Sequence, residues 1–161
     1  MRVEEPAGFG IAGMSIVGIE ASTLTDVVRA RAEANPDKAA FTYLRNGTEE
    51  ADWLSYGQLD RRAKAVAATL QRCGAPGGRV LLLFPPGLDF VAGFFGCLFA
   101  GMVAVPSPAP KTNRPSRRVE SIISDCEPVV ALGTAETLDI LRSTGGGLDA
   151  VAIRHWIAIE K

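Results

Sequence analysis

The side chains best suited to nucleophilic, general-base or metal chemistry are few in this chain, and they do not cluster. There is one histidine, His155, and there are three cysteines, Cys73, Cys97 and Cys126. A Ser-His-Asp triad on an α/β scaffold would need a G-x-S-x-G turn to present its serine, and the sequence has none. His155 stands in an apolar run beside Trp156 and reads as a structural or surface residue. The cysteines form no C-x-x-C pair, and with a single histidine they lack the spacing of a zinc ligand set. They read as reduced, buried thiols of the kind found in the cytosol.

Phosphate-binding patterns fare no better. GFGIAG, residues 8–13, matches G-x-G-x-x-G. That loop needs a strand before it and an acidic residue about 20 positions on. Here MRVEEPA precedes it and Glu20 comes too early, so residues 1–22 read as a flexible tail. Ser143-Thr144-Gly145-Gly146-Gly147 has the composition of a nucleotide loop, but no lysine follows it. Glycine amides alone make a weak polyphosphate site. Lys111, Arg114, Arg117 and Arg118 form a basic patch without an aromatic residue among them, so nucleic acid finds no stacking platform. The patch reads as a solvated loop ahead of a helix, with docking of an acidic partner as the alternative.

The elements that would carry any site are clearer. Thr23 and Asp26 have capping-box spacing before Leu24, Val27 and Val28, which mark one apolar helix face ending at Asn35-Pro36. Residues 40–44 and 52–54 read as a hairpin around Asn46-Gly47. Ser55 and Gln58 form a second capping box. Behind it Leu59, Ala63, Val66, Ala67 and Leu70 repeat at helical spacing, with Arg61, Arg62, Lys64 and Arg72 opposite and Gly74 as the stop. Residues 80–84 are an unbroken apolar run, the mark of a parallel strand covered on both faces. A helix over residues 88–100, a strand over 102–105, a helix around Val119, Ile122, Ile123 and Cys126, and a strand over 128–132 follow. Thr134 is placed to cap a helix reaching Leu141, and residues 151–159 read as a last strand holding His155 and Trp156.

This alternation predicts an α/β fold, a mostly parallel sheet flanked by helices. Its length of 161 residues suits one domain, and 47% hydrophobic against 22% charged residues is ordinary globular composition. The net charge of −1 gives no general pull toward nucleic acid or an anionic membrane. The uncharged stretch over residues 90–105 is shorter than the about 20 residues of a membrane span and is interrupted by Gly101. No signal peptide is legible, which leaves the cytoplasm as the expected location.

The wording of these elements resembles one superfamily. Leu54-Ser55-Tyr56-Gly57-Gln58-Leu59 is similar to an early motif of the adenylate-forming enzymes. Leu98-Phe99-Ala100-Gly101-Met102-Val103-Ala104-Val105-Pro106 is similar to their second core motif, L-x-A-G-x-x-x-V-P. Pro86-Gly87-Leu88-Asp89-Phe90, Gly96-Cys97-Leu98, the proline-rich residues 105–110, Arg118-Val119-Glu120-Ser121-Ile122 and Pro128-Val129-Val130 resemble the fatty acyl-AMP ligases in particular. So does Trp156-Ile157-Ala158, although Ile159-Glu160 stands where that group has Thr-Asp.

The resemblance implies the first subdomain of the N-terminal domain of such a ligase, over residues 23–161. It implies a substrate fatty acid, ATP and Mg²⁺ as its co-reactants, and acyl transfer to an acyl carrier protein or synthase. It also implies that the phosphate loop, the ribose-binding Asp and the C-terminal lysine of the family lie beyond Lys161. No residue of this chain is therefore expected to be catalytic, cofactor-binding or metal-binding, and the rest of the ligase chain is an expected partner. Two alternatives stay open at this level: a stand-alone, non-catalytic interaction module, and a piece of an acyl-CoA ligase.

Overall fold

The computed structural model describes residues 21–109, 117–143 and 153–159. Its framework is a four-stranded, wholly parallel sheet built from β3 (Arg79–Leu83), β4 (Val103–Pro106), β5 (Val130–Gly133) and β6 (His155–Ala158) in the order β4-β3-β5-β6. β3 lies inside and pairs with both β4 and β5, Val80 opposite Ala104 on one side and Val130 on the other. Val80, Leu81, Leu82 and Leu83 are all fully buried. A strand sealed on both edges and both faces must be apolar throughout, which is why its sequence shows no alternation.

The two faces of β3 seed two cores. Val80, Leu82 and Phe84 pack with Ala67 and Leu70 of α2 (Tyr56–Leu70) and with Cys97 of α3 (Leu88–Phe99). Leu81 and Leu83 pack on the opposite face with Val119 and Ile123 of α4 (Arg117–Cys126) and with Leu138 and Leu141 of α5 (Ala135–Ser143). A third cluster lies outside the α2–α3 layer. It joins Val28 of α1 (Leu24–Ala34) and Leu54 to Leu59, Ala63, Leu88 and Phe95. The hairpin β1 (Ala39–Arg45) and β2 (Glu49–Ser55) is a separate antiparallel sheet seated on that cluster. Asn46 and Gly47 both take positive φ, as a type I′ turn requires, and Thr48 N–H donates to Arg45 C=O.

Local signals set the helix starts. Thr23 and Ser55 make full capping boxes with Asp26 and Gln58. α3 ends where Gly101 turns left-handed, φ +72°, and delivers the chain into β4. Several expectations need correction. The return strand β2 is longer than residues 52–54, since pairing continues to Arg45–Glu49. Leu24 is 60% exposed, so α1 is anchored by Val28 rather than by a full apolar face. α2 ends at Leu70, and Gly74 is not left-handed. Its glycine answers to space instead, because a Cβ there would sit 3.0 Å from the Met102 methyl. Arg62 is half-buried rather than solvated and forms an ion pair with Asp89 in the first turn of α3.

The α2–α3 contact is the closest helix packing in the chain, and Gly96 makes it possible. A Cβ on Gly96 would lie 2.6 Å from Val66 Cβ and closer still to its Cγ1. Val66 Cβ is fixed to the α2 backbone and cannot swing away. Gly96→Ala should gain about 0.8–1.0 kcal/mol of helix propensity but lose about 1–3 kcal/mol to overpacking. We expect a net loss in urea unfolding. Combining it with Val66→Ala should recover stability relative to the sum of the single changes; additive losses would show that the two helices do not meet here.

Candidate functional site at the carboxyl edge of the sheet

The strand order turns back at β3. From β3 the chain moves outward to β4, then crosses to β5 on the other side and continues to β6. In open parallel sheets such a reversal opens a crevice outside the carboxyl ends of the strands, because the flanking connections leave in opposite directions. A cleft of about 570 Å³ occupies that place. Phe84 and Pro86 follow β3, Ser107 and Ala109 follow β4, and Thr137 and Ile140 come from α5 after β5. Phe90, on the first turn of α3, closes one wall.

Thr137 organises the junction. Its buried hydroxyl donates to Leu83 C=O at 2.7 Å, tying the start of α5 to the end of β3. The same oxygen accepts from Thr134 N–H at 3.1 Å, and Thr134 Oγ1 caps Thr137 N–H at 3.3 Å. A Cβ on Gly133 would clash with Leu83 C=O, so glycine there lets the two strand ends approach. The cleft is mainly apolar, with Glu136 as its charged side chain. Ser107 Oγ is buried and has no hydrogen-bond partner among the described residues.

The residues singled out in the sequence are not brought together. His155 is half-buried at the start of β6, paired across to Val130. Cys73, Cys97 and Cys126 are free, and only Cys97 is buried; the other two are half-buried, short of the expected burial. Arg117 and Arg118 are exposed on the first turn of α4. Lys111 and Arg114, the 8–13 glycine pattern and residues 144–147 lie outside the described residues. Among the described residues no group of three or more His, Cys, Asp or Glu could hold a metal ion, so they do not fit a magnesium site of their own. No helix among them is long and apolar enough to cross a membrane. The cleft was missed in the sequence because it is made by strand order. A local trace of it exists in Thr134-Ala135-Glu136-Thr137.

Burial pushes the Cys97 thiol up from 9.0 to about 12. A raised thiol is held neutral in the fold and ionises first in the unfolded chain. Its contribution to stability is therefore complete below pH 9 and is lost as pH rises toward 12. The stability gap between the native chain and Cys97→Ala should narrow above pH 9 in urea titrations. A gap constant from pH 8 to pH 11 would contradict this.

Comparison with known proteins places this architecture. The AMP-binding enzyme family matches residues 28–159. A medium-chain-fatty-acid acyl-carrier-protein ligase of Moorena producens, JamA, is 38% identical over 146 residues, covering 88% of this chain and 25% of its own length. The long-chain-fatty-acid AMP ligase FadD28 of Mycobacterium tuberculosis is 38% identical over 123 residues, 73% of this chain and 21% of its own. A fatty acyl-adenylate ligase from L. pneumophila, solved with acyl adenylate and pyrophosphate, superposes with a TM-score of 0.73 at 37% identity over 86% of this chain and 23% of that one. The chain thus spans about a quarter of the length of these relatives, and by sequence and by fold it belongs to the AMP-binding enzyme family, among the fatty acyl-AMP ligases.

Proposed function

We propose that this chain is the first structural unit of a ligase that activates a fatty acid with ATP. In the first step a carboxylate oxygen attacks the α-phosphorus of ATP, forming the acyl–AMP bond and releasing pyrophosphate. In the second the acyl group passes to the thiol of an acyl carrier protein, or of a synthase carrying one, and AMP leaves. The observation that carries this reading is the alignment of 88% of the chain with a ligase named for transfer to acyl carrier protein. A fatty acyl-adenylate ligase of the same fold, solved with the reaction's intermediate and by-product, supports it.

Within that enzyme the chain builds a wall. Its described residues present no nucleophile paired with a base and no phosphate-binding lysine, and their charged groups are spent on structure. Arg62 holds Asp89 between α2 and α3. Arg142 lies over the Trp156 ring at 4.8 Å and ties α5 to β6. ATP and Mg²⁺ are held, on this reading, by the remainder of the ligase, and the 161 residues alone are inactive. The cytoplasm, where ATP and carrier proteins meet, is its proposed location.

The test is exchange of labelled pyrophosphate into ATP. Extended to full ligase length, the protein should show exchange that depends on added fatty acid, while the 161-residue chain shows none. Absence of exchange in the extended protein for every acid from octanoate to stearate would overturn the reading.

A further inference from the structure

The cleft at the carboxyl edge is built from three separate segments, and its volume of about 570 Å³ falls within the range of small-molecule sites. Two rings, Phe84 and Phe90, and the side chains of Pro86, Ala109 and Ile140 give it apolar walls. Such walls favour an alkyl chain over a nucleotide. Two polar features then narrow the choice. Ser107 Oγ lines the cleft with no partner among the described residues, and a buried hydroxyl left unpaired costs about 1–3 kcal/mol. It is a donor awaiting an acceptor. Glu136, negatively charged on the same lining, opposes a free carboxylate as that acceptor.

We propose that this cleft seats the acyl group of the substrate, its alkyl segment against Phe84, Phe90 and Ile140 and a neutral acyl oxygen on the Ser107 hydroxyl. The proposal rests on the reading of the chain as part of a fatty-acid-activating ligase. It adds that the first structural unit contacts the substrate directly instead of only supporting the site.

Neutral amides are suitable probes, because their carbonyl stands in for the acyl oxygen. Octanamide, butanamide and octanoate would be titrated into the 161-residue chain with the Ile140 methyl followed by NMR. Octanamide should shift that signal saturably and bind at least about tenfold more tightly than butanamide, since each buried methylene adds apolar transfer energy. Octanoate should bind more weakly than octanamide. Ala109→Phe, which fills the cleft, should abolish the shift, and Ser107→Ala should weaken octanamide severalfold while the rest of the methyl spectrum is unchanged. No saturable shift at Ile140, equal affinity for the two amides, or a shift untouched by Ala109→Phe would overturn the proposal. Binding at the cleft without pyrophosphate exchange in the extended protein would sink the ligase reading alone. Exchange without binding at the cleft would sink the acyl seat alone.

Discussion

The burial of β3 is the constraint on which the rest of this chain depends. Four consecutive residues, Val80 to Leu83, have lost all contact with water. That is possible only if strands flank both edges and helices cover both faces, because each backbone N–H and C=O must also find a partner. β4 and β5 supply the partners. α2 and α3 cover one face, α4 and α5 the other. The strand order follows, and with it the reversal that opens a cleft beyond Leu83. The hydrophobic driving force and the location of the candidate site are thus two results of one short apolar run.

The outer parts of the molecule are held less firmly, and physical reasons are visible. The hairpin is a two-stranded sheet, an element of marginal stability by itself. It leaves Leu44 and Trp53 45% and 47% exposed. α1 contributes one buried side chain, Val28, helped by Arg29 stacked over Phe99 at 4.7 Å. These elements rest on the third cluster, one layer removed from the sheet. A chain that spans a quarter of its relatives' length accordingly has a firm centre and an apolar periphery.

Much of this was legible in the sequence where the determinants are local. Ser55 and Gln58 announce α2, Gly101 announces the end of α3, and the unbroken run at residues 80–84 announces a central strand. The motifs around Gly101 and Pro106 carried the family as well. What was not legible depends on distance along the chain. Thr137 bonds to Leu83 across 54 residues, and nothing near either residue predicts it. Leu24 has the periodicity of a core residue, but periodicity cannot say where the neighbouring layer stops. Gly74 was taken for a helix-terminating glycine; it is required by the Met102 methyl, which comes from a different loop. The cleft itself has no sequence signature because it exists between three chain segments.

Native-state hydrogen exchange measures the central constraint most directly. If β3 organises the fold, the amides of Leu81, Leu82 and Leu83 should exchange only by global unfolding. Their free energy of opening would then match that from urea denaturation, and those of β1 and α1 would fall well below it. Exchange of the β3 amides as fast as those of the hairpin would contradict the account.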